Sequence, residues 1–122
     1  MTTHEWSVEW RGEKITAVLH EMGNDCVITL SGGQREHVGA ISVCPASGEV
    51  QTTVFEGHKE QFITEPWCRR VHELTGGAAV VTAGIHYDHL SKQEIAEVMD
   101  AAADLWNRIE SLLRTQFPQP NG

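Results

Sequence analysis

The sequence predicts a two-layer α+β sandwich. An about six-stranded, mainly antiparallel sheet carries two helices on one face, in a single domain over residues 1–117 with a flexible tail at 118–122. Three observations lead there. Short runs of period-two hydrophobicity fill the first half of the chain. A capped run of helical period closes it. Between that run and a shorter helical stretch lies one continuous small-apolar segment.

The elements follow in order. Trp6, Val8 and Trp10 alternate with Ser7 and Glu9, giving a first strand with one strongly apolar face. Arg11-Gly12-Glu13 is a tight turn into a second strand, Lys14 to Met22, with Ile15, Ala17 and Leu19 on one face. Gly23-Asn24-Asp25 turns into a third strand, Cys26 to Leu30, and Ser31 to Glu36 is a polar, glycine-rich loop. Gly39 to Cys44 and Val50 to Phe55 make a fourth and a fifth strand around the turn Pro45-Ala46-Ser47-Gly48. Thr64, just before Glu65-Pro66, reads as the N-cap of a helix whose buried face is Trp67, Val71 and Leu74 and which ends at Gly76-Gly77. Ala78 to Ala83 has the continuous apolar character of a buried strand. Ser91 with Glu94 forms a capping box. The long helix behind it places Ile95, Val98, Met99, Ala102, Leu105, Trp106, Ile109, Leu112 and Leu113 at core spacing, with Met99 and Trp106 read as core residues.

With 122 residues the chain has room for one domain with a real core and no need of staples. A net charge of -8, without a Lys/Arg run, argues against nucleic-acid binding, because phosphate backbones reward a basic face. Met1 to Arg11 lack the apolar core of a signal peptide, and no stretch approaches the roughly 20 apolar residues that span a bilayer. Cys26, Cys44 and Cys68 form no C-x-x-C pair and leave one thiol over in any disulfide scheme, a pattern that fits small buried hydrophobes in the reducing cytoplasm. None of them adjoins a glycine or histidine that would activate it, and there is no G-x-S-x-G elbow, so the sequence offers no catalytic nucleophile.

Chemistry concentrates in three glycine–histidine segments at loop–strand junctions. They are Gly33 with His37 and Gly39, then Gly57-His58-Lys59-Glu60, then Gly84-Ile85-His86 with Asp88. Glycine allows close backbone approach, and histidine supplies a donor, an acceptor or a metal-ligating nitrogen. Lys59, with Arg35 in support, is the best local cation for an anionic ligand near a helix start. The plainer alternative is a set of surface loops with ordinary charged side chains. A divalent metal on His37, His58 and His86 is a further alternative, but those separations match no local zinc motif and the site would depend on tertiary proximity. His4, His20 and His72 fall within regular elements and read as structural or solvated.

At these same segments the chain resembles the LpdD-like prenylated flavin chaperones, also known as the D subunit of gallate or vanillate decarboxylase systems. The likeness rests on Gly33 with His37-Val38-Gly39-Ala40, Gly57-His58-Lys59-Glu60, and Ala83-Gly84-Ile85-His86 with Asp88, and runs from about Cys26 to the last helix. The resemblance implies a cytoplasmic homodimer similar in fold to proteasome assembly chaperones. It implies transient binding of reduced prenylated FMN at Gly33, His37, Gly39, Gly57, His58, Lys59, Glu60, Gly84, His86 and Asp88. It also implies a non-catalytic role: delivery of the cofactor to a UbiD-type decarboxylase, with a flavin prenyltransferase as a possible second partner. Two other classes remain open at this point, a small metal-dependent enzyme using His37, His58 and His86 and an assembly chaperone without a ligand.

Overall fold

The structure, a computed structural model, describes residues 1–55 and 58–118. Strands β1 (Thr2–Trp10) and β2 (Glu13–Met22) form a hairpin. Its two turn residues, Arg11 (φ 52) and Gly12 (φ 78), both adopt left-handed backbone, as a two-residue connection matched to the strand twist requires. β3 (Asp25–Gly33) continues the meander antiparallel to β2. β4 (Ala40–Cys44) and β5 (Gln51–Val54) form a second hairpin. Helix α1 (Gln61–Thr75) then returns the chain to β6 (Ala79–His86), and α2 (Lys92–Gln116) follows. β6 inserts between β3 and β4, parallel to the first and antiparallel to the second, so the sheet order is β1-β2-β3-β6-β4-β5. The α+β sandwich read from the sequence is present, with one parallel pairing in an otherwise antiparallel sheet.

Both helices cover the same sheet face. Alternation buries Ile15, Ala17 and Leu19 of β2, Cys26, Ile28 and Leu30 of β3, and Ala79, Val81 and Ala83 of β6 under Trp67, Val71 and Leu74 of α1. The buried stripe of α2 is Val98, Ala102, Leu105, Ile109 and Leu113. Trp67 and Trp106 meet between the helices at a centroid distance of 5.4 Å, and Arg70 reaches across to Glu110 at 3.4 Å. The opposite face of the sheet, through Val18, Val27, Ile41 and Val80, is half-buried and carries no helix.

Several boundaries differ from the sequence reading, each for a local reason. Thr64 is not an N-cap. Glu60 is already in helical backbone (φ -70, ψ -4), so α1 starts at Gln61 and Thr64 lies inside it. There the Thr64 hydroxyl accepts from buried Ser42 at 2.8 Å and ties α1 to β4. Pro66 is accommodated within the helix, which forgoes one backbone bond near its start. β3 runs past Leu30 to Gly33, because β6 supplies partners for Ser31, Gly32 and Gly33. β6 likewise extends to His86, which therefore ends a strand rather than sitting in a loop. Met99 is 41% exposed and Ile95 49%, so Met99 is not a core residue. They flank the buried stripe of α2, and that side of the helix faces a groove. Trp106 is partly buried against the core. The capping box is present: Glu94 N–H donates to the Ser91 hydroxyl at 3.1 Å, and Ser91 N–H to the Glu94 carboxylate at 3.0 Å.

Candidate functional site: a glycine–histidine rim

Strand directions bring the three motifs together. β3 and β6 run parallel, so their carboxyl ends, Gly33 and His86, are side by side. β4 is antiparallel to β6, which puts residues 34–39 at the same rim, and β5 is antiparallel to β4, so its exit toward His58 arrives there too. Both helices start from that rim, α1 after β5 and α2 after β6. The amino ends of the two helices add positive potential there, and the carboxyl ends of parallel strands are where ligands collect in sheet-and-helix layers.

The glycines make room for groups from the other motifs. A side chain at Gly84 would run into the main chain at His37, so Gly84 lets the 34–39 segment lie directly on β6. A side chain at Gly39 would occupy the space of the Glu60 carboxylate. Gly33 (φ 83) turns where the His86 carbonyl approaches, and that carbonyl accepts from Gln34 N–H at 2.7 Å. Gln34 also accepts from Asp88 N–H at 2.8 Å, fastening the end of β3 to the residues after β6.

Glu60 is the hub. Its side chain, only 12% exposed, holds one oxygen 3.1 Å from His37 Nε2 and the other 3.9 Å from His58 Nδ1, and accepts from Lys59 N–H at 3.0 Å. The His37 and His58 rings stack at 4.4 Å, and the His86 ring meets His37 edge-on at 6.3 Å. All three histidines therefore lie in one cluster. His86 Nε2 is paired with Asp88 at 2.8 Å, with Arg35 at 3.5 Å on the same nitrogen. The hydrogen bond from His86, reinforced by the nearby positive side chains, holds the Asp88 carboxyl below its ordinary range. Among the described residues, the group whose ligating atoms all lie within 4.8 Å of one another is His37, His58 and Glu60, with Glu60 where the sequence reading placed His86. Gly57 lies outside the described residues. His4 pairs with Glu21 at 2.6 Å, His20 with Thr3 at 3.1 Å, and His72 with the Gly77 carbonyl at 2.7 Å, all away from the rim.

An apolar groove of about 390 Å³ adjoins this cluster, lined by Lys59, Glu60, Phe62, Ile63, Ile95 and Met99. The sequence reading did not identify it. Its signal was the phase of Phe62, which falls off the Trp67–Val71–Leu74 stripe; Ile95 and Met99 keep core spacing along α2 and are exposed because no element covers that side of the helix. Phe62 is 68% exposed. Beside Glu60, the Gln61 side-chain oxygen is buried without a hydrogen-bond partner among the described residues. Burial raises the thiols of Cys26 to about 11 and Cys68 to about 12, which keeps them from acting as nucleophiles near neutral pH. No helix among the described residues is long and apolar enough to cross a membrane.

Comparison with known proteins gives the family of the chain. Residues 9–114 match the family described as the prenylated flavin chaperone LpdD-like domain. Protein LpdD of Lactiplantibacillus plantarum is 31% identical over 114 residues, covering 89% of this chain and 84% of that protein. Among solved structures, a chain from a chaperone complex for yeast 20S proteasome assembly is similar at a TM-score of 0.49 and 9% identity, over 87% of this chain and 99% of that one.

Proposed function

The chain belongs to the prenylated flavin chaperone LpdD-like family, and we propose that it is a non-catalytic carrier that binds reduced prenylated FMN at the glycine–histidine rim and hands it to a UbiD-type decarboxylase. The observation that carries this reading is the junction of two unlike surfaces at Lys59 and Glu60. On one side lie histidines, Arg35 and two helix starts; on the other lies the apolar groove of Phe62, Ile63, Ile95 and Met99. A prenylated flavin mononucleotide has the same division, a phosphate at one end and an extended ring system at the other. Pockets of roughly 300–1,000 Å³ with a few convergent polar groups are typical of such ligands.

In this reading Lys59 is the main charge partner of the phosphate. His37, His58, His86 and Asp88 serve the polar edge of the ring, while Gly33, Gly39 and Gly84 let the segments that carry them pack closely at the rim. On a chain with a net charge of -8, an anion needs a local positive spot, and Lys59 directly precedes Glu60, the N-cap of α1. A charge-assisted phosphate contact contributes about 1.5–3 kcal/mol, so Lys59→Ala weakens binding by about ten- to a hundredfold. The test is an anaerobic titration of reduced prenylated FMN into the native chain and into Lys59→Ala. Equal affinities remove Lys59 from the phosphate, and no binding to the native chain ends the carrier reading. The uncovered sheet face, with Val18, Val27, Ile41 and Val80, is the surface for a second copy of the chain, and a monomer in sedimentation at micromolar concentration would refute the homodimer.

A further inference from the structure

We propose that His37, His58 and Glu60 form a binding site for one divalent transition-metal ion, a site that stands whether or not the rim carries a flavin. The first argument is convergence: the ligating atoms of His37, His58 and Glu60 all lie within 4.8 Å of one another. His37 Nε2 is 3.1 Å from one carboxylate oxygen of Glu60, whose side chain is only 12% exposed. A second imidazole, His58, is stacked on the first at 4.4 Å, and its Nδ1 approaches the other Glu60 oxygen. Two imidazoles and one carboxylate gathered in this way form a donor set that a single dication can share.

The geometry suits that ion. Two ligands bound at about 2.0–2.2 Å to one metal, at tetrahedral to octahedral angles, lie about 2.8–3.6 Å apart. The separation of 3.1 Å between His37 and one Glu60 oxygen falls in that interval, and His58, 3.9 Å from the other oxygen, closes with a small side-chain shift. Outer partners are in place: the Arg35 carbonyl oxygen lies 3.4 Å from His37 Nδ1, where the outer partner of a metal-ligating histidine sits. Lys59 N–H orients the carboxylate at 3.0 Å, and Gly39 leaves the space in which that carboxylate sits. Two imidazoles and a carboxylate select first-row divalent ions such as Zn²⁺, Co²⁺ or Fe²⁺ over Mg²⁺ and Ca²⁺, which prefer all-oxygen sites. Three protein ligands leave coordination positions open for an exchangeable oxygen donor.

The test uses the full chain, stripped with EDTA and titrated with Co²⁺ without flavin, read by visible absorption and by equilibrium dialysis with metal analysis. The native chain takes up one equivalent and develops d–d bands. Glu60→Gln, which keeps shape and removes the charge, weakens uptake by about tenfold or more and alters the bands. His58→Asn does the same, while His86→Asn and His4→Asn leave uptake unchanged. Circular dichroism confirms that each variant is folded. The site is overturned if the native chain shows no stoichiometric uptake at 100 micromolar Co²⁺ (about the weak limit for a resident ion), if Glu60→Gln binds like the native chain, or if His86→Asn abolishes binding and Glu60→Gln does not. Failure of flavin binding leaves all of these outcomes readable.

Discussion

Single atoms decide much at the rim. A methyl group at Gly84 meets the main chain at His37, which cannot swing aside, whereas at Gly39 it meets the end of the Glu60 side chain. The two substitutions therefore separate. Gly39→Ala displaces Glu60 from His37 and costs ligand binding while the melting temperature changes little. Gly84→Ala forces the 34–39 segment off β6 and lowers both. Thermal unfolding of the two variants beside one binding titration checks this, and equal losses of stability would refute it. The thiols give a second residue-scale expectation. Cys68 is fully buried and donates to the Ser42 and Ala79 carbonyls, and burial raises its thiol to about 12. Native protein at pH 8 therefore resists a disulfide reagent such as DTNB on a timescale of minutes, and denatured protein releases three thiols. Rapid modification of the folded chain would contradict that burial.

At the scale of an element, α2 is held by its cap and stripe, and α1 by a hydroxyl. Ser91→Ala removes the side-chain half of the capping box and costs about 1 kcal/mol, read as a lower urea midpoint at unchanged slope. Thr64 is fully buried and its hydroxyl accepts from Ser42, which also contacts Thr52 at 2.8 Å. Thr64→Val keeps the shape and leaves the chain of hydroxyls incomplete, with an expected loss of about 1–2 kcal/mol. A Val variant as stable as the native chain would show that the chain of hydroxyls contributes nothing net. The exposed apolar residues of these helices have a different meaning. Phe62, Ile95 and Met99 contribute little to the core, so their truncation is expected to spare folding.

For the whole molecule, acid is the informative perturbant. Glu110 joins α2 to α1 through Arg70 and pairs within α2 with Arg114, whose hydrogen bond is the larger cause of its lowered carboxyl. Asp88 is lowered through His86. A carboxylate whose folded value lies below its unfolded one stabilises the fold above the ordinary carboxylate range. That contribution fades as pH falls through the unfolded and then the folded value. Glu110→Gln is therefore less stable than the native chain at pH 7, and the gap narrows as pH falls below the ordinary carboxylate range. Urea midpoints measured from pH 7 to pH 3 for both chains test the sign, and a gap that widens in acid would reverse it.

The sequence by itself determined the elements, because periodicity and caps are local: alternation around Trp6, Val8 and Trp10, the Ser91–Glu94 box and the Gly76 stop each read out within a few residues. It also singled out the glycine–histidine motifs as the chemical part of the chain. Only the tertiary structure decided where they meet. Inserting β6 between β3 and β4 brings Gly33, His37, Glu60 and His86 to one rim, and no spacing along the chain encodes that pairing. The same holds for Thr64, whose hydroxyl looked available for a cap until β4 supplied Ser42. Met99 had the right phase for burial, but no element covers that side of α2, so it lines the groove. Local chemistry sets what each residue is able to do, and the long-range strand pairing sets which partner it finds.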